Sequence, residues 1–389
     1  MVLRSSIVFS VALAGAPALA TAQPDPSGID FVTIGAPGNT PVDSSFVPPD
    51  QDPRVIGRGG VVYEYRIGRF EVTTQQWCDF FNAAFDRPAD DRLPHLIPPT
   101  FWGAVSTTPN TPGGLRWRVP AGNEMLPTGN ISWRMAAMYC NWLTNDRGNG
   151  REAFLDGAYD VSTFGLAPIG YTDQLTHHPG ARYWIPSWDE WLKAGHYDPS
   201  KLNPDGSVGG WWRCGNTSDV QPPYGPPGVR VRASGLPGPD PDGPLAQANA
   251  GWDNITFPGY SPFSVPLGAY PTVQSPWGLF DIAGGTTEWT EEALLTSGIW
   301  PTARLFDGSY WTGGRGLDLL NAWGGDYPGW STFDFGFRVA SAVPSPGFSA
   351  LGVALLFSWH PRRRHGGSHA MDRDDRLMLR SRRMARGEC

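Results

Sequence analysis

The sequence predicts a loop-rich fold in which short strands and short helices are held together by large aromatic side chains. The 389 residues include 49 Gly, 39 Pro and 18 Trp, and few stretches show the periodicity of a long helix. Because long helices are scarce, buried aromatic rings must supply much of the packing. The length alone allows one large domain or two.

Charge separates the C-terminal end from the rest of the chain. From Pro361 onward there are nine Arg, three Asp and one Glu, whereas the whole chain has a net charge of −7. The body is therefore acidic, which argues against nucleic-acid binding as its main role.

The four cysteines give no metal-binding pattern. Cys78, Cys140, Cys214 and Cys389 have spacings that fit no zinc site. Cys78 and Cys140 fall on two predicted helices, so they could pair in an oxidising compartment or remain as two buried thiols.

Residues 1–22 have the organisation of a secretory signal peptide. Arg4 supplies the positive charge, residues 7–14 form a short apolar core, and small residues around Ala20 and Ala22 offer a cleavage site. We therefore expect an exported protein that is secreted, periplasmic or on the cell surface.

The first elements follow from apolar alternation and from capping residues. A strand is predicted at 31–35, and a second strand or hairpin arm at 61–73. Thr73 or Thr74 then caps a helix. Its core face is predicted to contain Trp77, Phe80, Phe81, Ala84 and Phe85.

Two further helices are predicted, each from a serine at its start. Ser132 is the N-cap of a helix with a core stripe. Ser187 and Glu190 form a capping box that opens the next helix, in which Trp191 lies. Residues 199–243, rich in Pro, Gly and Asp, are predicted to form a long irregular loop. The core stripe consists of Met135, Met138, Tyr139, Trp142 and Leu143.

The stretch 267–290 is the most informative part of the chain. It combines a turn, a short apolar strand, the double glycine Gly284–Gly285, and Glu288 directly before Trp289. Glycine allows positive φ or a close backbone approach. Glu288 is expected to be half-buried, so it must be paired or bound to a cation.

This stretch resembles the G-L-x-D-M-x-G-N-V-W-E-W core of the sulfatase-modifying-factor family, the formylglycine-generating-enzyme domain. Gly285 and Thr287 stand where the family has Asn and Trp. Similar blocks follow the family's order at 70–73, 131–143, 183–194, 304–311 and 335–340. In the core itself the matching positions are Gly268, Tyr270, Gly278, Leu279, Phe280, Asp281, Ile282, Gly284, Glu288 and Trp289.

The resemblance implies a single compact α+β domain over residues 28–342, loop-rich and distantly similar to the C-type lectin fold. Glu71, in the first block, is interpreted as structural, with a functional role as the alternative. The family also binds calcium, which takes mixed carboxylate, amide and carbonyl oxygens. The positions carried over as calcium ligands are Asn249, Ala250, Gly284, Thr286 and Glu288.

Catalytic members of the family bind copper(I) with two cysteines, which lie about three and eight residues after the Ser of a G-S-(W/Y) strand. Counted from Ser309, those positions hold Thr312 and Leu317. A hydroxyl and an isobutyl group cannot replace soft thiolates. We therefore expect no copper, and no formylglycine made by the family's route.

A related branch of the family uses iron held by histidines or carboxylates. The chain has seven His but no H-x-x-x-H-x-E pattern, and His177–His178 lies in a loop. We expect no iron site. A divergent metal-dependent oxidase of the same family remains an alternative function.

Residues 309–330 suit a binding surface because they are rich in Trp, Tyr, Gly, Asn and Asp. Such residues bind sugars or peptides by stacking and hydrogen bonding, although the same composition suits a packed loop. A module that binds a glycan, peptide or protein is thus a second functional hypothesis, and a purely structural envelope protein a third. The candidate ligand-binding residues are Ser309, Tyr310, Trp311, Thr312, Trp289, Trp330 and Arg338.

Residues 343–364 resemble a PEP-CTERM sorting signal, which is recognised by a membrane transpeptidase-like enzyme. A V-P-x-P sequence is followed by an apolar run of about 13 residues, short of the roughly 20 of a spanning helix, and then by Arg362–Arg364. A transient membrane anchor is one expectation and an amphipathic tail the alternative. Residues 365–389 are expected to form a disordered basic tail.

Overall fold

The computed structural model describes residues 25–47, 53–107, 115–234, 236–295, 301–313 and 316–344. The chain divides into one unit that ends at Val343 and a second that runs from Pro344 to Cys389. The signal peptide expected at 1–22 lies outside the described residues. So does the sorting segment, except for its first two residues.

Four α-helices are described, and side-chain caps begin three of them. Thr73 and Gln76 form a capping box at the start of the first helix, and Ser187 and Glu190 form another at the start of the fourth. Ser132 accepts a hydrogen bond from the Met135 N–H at the start of the second. The helices are α1 (Thr74–Ala84), α2 (Trp133–Thr144), α3 (Glu152–Leu155) and α4 (Trp188–His196).

The described strands are short, and most have two to five residues. They are β1 (Phe31–Ile34), β2 (Tyr65–Gly68), β3 (Val105–Ser106), β4 (Trp117–Arg118), β5 (Tyr183–Trp184), β6 (Tyr197–Leu202), β7 (Val208–Trp211), β8 (Thr287–Leu294), β9 (Ala303–Asp307), β10 (Trp323–Asp326), β11 (Phe335–Gly336) and β12 (Ala340–Ala342).

Two four-stranded sheets organise the domain. The first has the order β1-β2-β12-β5 and is antiparallel, with Ala340 opposite both Ile67 and Trp184. The second has the order β10-β9-β8-β11, in which β8 and β11 are parallel and Gly336 lies opposite Glu288. Residues 335–342 therefore contribute a strand to each sheet.

Aromatic side chains fill the core. One cluster joins α1 and α2 to the sheets, and Trp77 packs in it against Phe80 and Tyr139, with ring centroids 4.9 and 5.6 Å away. A second cluster surrounds α4. Among the described residues, six Trp side chains are fully buried, which agrees with the aromatic packing expected from composition. These are Trp77, Trp133, Trp191, Trp252, Trp289 and Trp311.

The α+β, loop-rich class and the caps of the three predicted helices are confirmed. Two expectations need correction. The strand expected over 61–73 is only Tyr65–Gly68, because the chain turns after Gly68 and carries Glu71 into the interior. The loop expected at 199–243 contains most of the hairpin β6–β7, whose turn is Asn203-Pro204-Asp205-Gly206.

Cys78, Cys140 and Cys214 are buried free thiols, so the pairing considered for Cys78 and Cys140 is not present. Within the described ranges, no helix has the length and apolar character needed to cross a bilayer.

Candidate functional site

A cleft of about 470 Å³ opens beside the second sheet, where the composition of residues 309–330 predicts a binding surface. Strands β8, β9 and β10 form one side and residues 332–335 the other. The lining combines aromatic rings, three aspartates and small residues, and consists of Thr287, Phe306, Asp307, Gly308, Tyr310, Leu317, Ala322, Trp323, Gly324, Asp326, Thr332, Phe333, Asp334 and Phe335.

The two positions that correspond to the family's cysteines both remain accessible. Leu317 is 38% exposed and lines the cleft, and Thr312 is exposed but is not among the described lining residues. The described lining contains no thiol, and the three described cysteines are buried. The cleft is therefore formed without a soft ligand for copper(I).

The aromatic part of the cleft rests on the core. Phe306 packs edge-on against the buried Trp289 at 5.7 Å and lies 4.8 Å from Phe335. Tyr310 contacts Phe333 at 6.1 Å, and Trp323 contacts Trp188 at 6.1 Å. Phe306 and Trp323 therefore pack on buried tryptophans, whereas Tyr310 and Phe333 pack on each other at the cleft.

Three carboxylates give the cleft its polarity. Asp307 is 2% exposed and accepts hydrogen bonds from Trp188 Nε1 (2.7 Å) and from the Gly308 N–H (2.8 Å). Burial, and then the charge of Glu288, raise the pKa of Asp307 well above its ordinary value. Asp326 and Asp334 are only half-buried.

A buried acid–base cluster lies beneath the cleft. Arg338 Nε donates to both oxygens of Glu288 at 2.8 Å, and Trp191 Nε1 donates to Glu288 Oε2 at 2.8 Å. Burial raises the pKa of Glu288 and outweighs the opposing effect of the Arg338 charge. Glu288 is thus paired within the protein, one of the two outcomes expected for a buried acid.

Glu71 belongs to the same cluster. It accepts hydrogen bonds from the Thr286 N–H (3.0 Å) and the Thr286 hydroxyl (2.6 Å). Burial, and then the charge of Glu288, raise the pKa of Glu71 well above its ordinary value. Gly285 leaves room for this carboxylate, because a Cβ there would lie 2.4 Å from Glu71 Oε1. These contacts agree with the structural interpretation of Glu71.

The five predicted calcium ligands differ in what surrounds them. Asn249 and Gly284 are bridged backbone to backbone, and no described donor reaches the buried Asn249 Oδ1. The Asn249 side chain fits a cation, because its Oδ1 accepts no hydrogen bond from a described group and calcium binds amide oxygens. The Thr286 hydroxyl and the Glu288 carboxylate already have partners in the protein, Glu71 and Arg338. Ala250 is fully buried.

The seven predicted ligand-binding residues are also distributed unequally. Tyr310 lines the cleft, Thr312 is exposed, and Trp330 is 62% exposed without lining it. The other four are buried and offer no surface to a ligand: Ser309, Trp311, Trp289 and Arg338. Sequence reasoning missed Phe306, Phe333 and Asp334. The last two follow the predicted loop and reach the cleft only through the turn before β11.

Histidines do not build a metal centre in the described ranges. His177 pairs with Glu291 at 2.9 Å and stacks on Trp184 at 4.5 Å. Elsewhere in those ranges, no three His, Cys, Asp or Glu side chains come together as a metal site.

A larger groove, of about 670 Å³, lies against the β6–β7 hairpin. Its single lysine, Lys201, is held by the Trp211 carbonyl and by Asp219. None of the predicted site residues line it.

Fold and site together define a single α+β domain with an aromatic, acidic cleft that Leu317 lines, one of the two positions expected for a copper-binding cysteine. Residues 37–343 match the model of the sulfatase-modifying factor enzyme 1-like domain. The chain belongs to this family.

Three solved structures are similar to this chain at low sequence identity. CarF is 16% identical with a TM-score of 0.48, over 82% of this chain and 99% of CarF. Treponema denticola variable protein 1 is 16% identical with a TM-score of 0.43, over 80% and 95%. PvdO from Pseudomonas aeruginosa is 15% identical with a TM-score of 0.42, over 82% and 95%. No curated protein matches the chain.

Proposed function

We propose that this protein is an exported, ligand-binding member of the family that does not generate formylglycine. The observation that carries the proposal is a formed cleft lined by Leu317, one of the two positions expected for cysteine; the other position is the exposed Thr312. Copper(I) requires soft ligands, and the described lining offers oxygen and carbon. The aromatic rings and carboxylates of the cleft suit binding of a glycan, a peptide or a protein segment.

Copper binding tests the loss of oxidase chemistry. The wild-type protein should bind no stoichiometric Cu(I), and it should leave cysteine-containing peptides unoxidised when copper and oxygen are supplied. The double variant Thr312→Cys/Leu317→Cys should gain Cu(I) binding, measured by competition with a chromophoric chelator. Stoichiometric copper in the wild type, or peptide oxidation seen by mass spectrometry, would favour the alternative of a divergent metal-dependent oxidase.

Ligand binding tests the other half of the proposal. Glycan and peptide arrays probed with the purified protein should give hits that Tyr310→Ala weakens. Tyr260→Ala is a matched control, because Tyr260 is 47% exposed and does not line the cleft. Trp311→Ala is unsuitable, since Trp311 is buried against Phe263 and its loss would disturb folding. Hits that survive Tyr310→Ala unchanged would place binding elsewhere.

Export is supported by the composition of residues 1–22, and sorting by that of residues 343–364. Expression in a bacterial host with export machinery should yield a protein that begins near Gln23. N-terminal sequencing and intact mass measure both ends. A cytoplasmic, full-length product in a host with a matching sorting transpeptidase would count against the proposal.

A further inference from the structure

The chemistry of the cleft lining is one-sided. Five aromatic rings and the half-buried carboxylates of Asp326 and Asp334 line a space of about 470 Å³, together with the buried Asp307, and no Lys, Arg or His is among the described lining residues. Four of the rings are half-buried, so part of each is accessible. They are Phe306, Tyr310, Trp323 and Phe333.

Two of the carboxylates keep an oxygen for a ligand. Asp326 Oδ1 accepts the Tyr327 N–H at 2.7 Å, and Asp334 Oδ1 accepts the Thr332 hydroxyl. No described group donates to the second oxygen of either residue. In both aspartates, a local hydrogen bond fixes Oδ1. The other oxygen, Oδ2, has no described donor and is available to a ligand in the cleft.

The Trp323 ring already interacts with a cation of the protein. The Arg54 guanidinium carbon lies 4.6 Å from the centroid of this ring, within the range of a cation–π contact. Arg54 does not line the cleft. The ring faces of Tyr310 and Phe333 carry no described cation, and both line the cleft.

Aromatic faces attract cations through the ring quadrupole, and nearby carboxylates add direct charge attraction. An anionic ligand would meet the opposite potential, with no base among the described lining residues to compensate it. Leu317 adds an apolar surface where relatives have a thiolate. The lining therefore matches a ligand with a positive head and an apolar body.

We propose that the cleft binds a cationic group, an ammonium or guanidinium carried on a small apolar body. The inference rests on the proposed function, since it takes the cleft as the ligand site. It specifies the charge of the ligand, which the composition of the chain leaves open.

Choline and its neutral isostere 3,3-dimethylbutan-1-ol test the charge directly, because they differ in one atom and in charge. Isothermal titration calorimetry on the full exported protein should show binding of choline that is about tenfold or more tighter than that of the alcohol. Nα-acetyl-arginine amide and its neutral counterpart Nα-acetyl-citrulline amide form a second pair with the same expected order.

Variants locate the binding. Asp326→Asn keeps the acceptor for the Tyr327 N–H but removes the charge, and Phe333→Leu removes a ring while keeping an apolar side chain. Each should weaken choline binding by about tenfold. Asp205→Asn, at the exposed turn of the β6–β7 hairpin, is the matched control and should change nothing. Circular dichroism and melting curves verify that the variants fold.

Equal binding of choline and the alcohol, with both weakened by Phe333→Leu, would overturn the cationic class but retain the cleft as a ligand site. Choline binding that neither cleft variant changes would overturn the site. No binding of either cation at millimolar concentration would also overturn the inference, while the array experiment would still decide the proposed function.

Discussion

Arg338 stabilises the buried carboxylate of Glu288. Its guanidinium contacts both oxygens of Glu288 and also donates to the carbonyls of Arg69 and Phe280. The need for a partner can be read from the sequence, because Glu288 precedes a core tryptophan. The identity of the partner cannot, since the two residues meet only when β11 pairs with β8.

Removing that partner should be costly. Arg338→Met leaves a buried carboxylate beside a second buried acid, Glu71, and we expect it to lower the free energy of unfolding by about 3–5 kcal/mol. Arg182→Met is the control. Its partner Asp146 lies 2.6 Å away, but both side chains are largely exposed, so the cost should be about 0–1 kcal/mol. Urea unfolding measures both, and similar costs would contradict the assignment.

His177 should make stability depend on pH. Burial alone would lower its pKa, but the hydrogen bond and charge interaction with Glu291 outweigh burial and raise the pKa above 6.5. The ion pair therefore contributes fully below pH 6.5, and its contribution is lost as the pH rises through the raised pKa.

The variant His177→Gln should accordingly lose more stability at about pH 5.5 than at about pH 9, measured as the difference from wild type in urea unfolding. His178→Gln, at the neighbouring and mostly exposed histidine, should lose little at either pH. If the stability lost in His177→Gln does not change with pH, then His177 stabilises the fold by packing on Trp184 and not through the ion pair.

For single residues, the sequence predicts which stretch forms the cleft but not which of its side chains are exposed there. Tyr310, Leu317, Trp323 and Asp326 all lie in or border the stretch identified by its composition. Composition cannot separate exposed from buried members of such a stretch, however. Trp311 and Ser309 face the core, while Tyr310 between them lines the cleft.

At the scale of elements, helices were better predicted than strands. Helix starts have local chemical markers, and Thr73, Ser132 and Ser187 all cap as expected. Strands of two to four residues are too short for alternation to define, and their pairing depends on distant partners. The β6–β7 hairpin was missed because Pro199 and two adjacent glycines look like loop residues.

The pairing of β11 with β8 depends on a glycine. A Cβ at Gly336 would lie 2.1 Å from Thr286 Oγ1, the hydroxyl that donates to Glu71. We expect Gly336→Ala to cost about 1–3 kcal/mol through overpacking and loss of that hydrogen bond. Gly180→Ala is the control, because nothing lies within 4 Å of a Cβ there. Thermal melts of both variants distinguish the local clash from a general cost of replacing glycine.

For the whole molecule, the sequence predicts one domain because the blocks that resemble the family run in the family's order along most of the chain. Calcium binding is a prediction about the whole domain that an experiment must test. If it binds at Asn249, calcium should raise the melting temperature and a chelator should lower it. At a hundredfold excess over Kd the gain is about 2.7 kcal/mol.

Asn249→Ala should abolish the response to calcium, whereas Asn254→Ala, at an exposed turn, should preserve it. Differential scanning calorimetry with and without chelator measures the effect. Identical melting temperatures in calcium and in chelator would show the calcium prediction to be wrong.

The position of β12 in the first sheet has a consequence for protein synthesis. Its residues, Ala340–Ala342, lie between β2 and β5, so two earlier strands have no neighbour on that side until the end of the domain leaves the ribosome. A chain cut short before Ala340 exposes two open strand edges, which invite aggregation or proteolysis. Truncated chains should therefore be degraded or aggregate, and fragments of the domain should not accumulate as folded proteins in the cell.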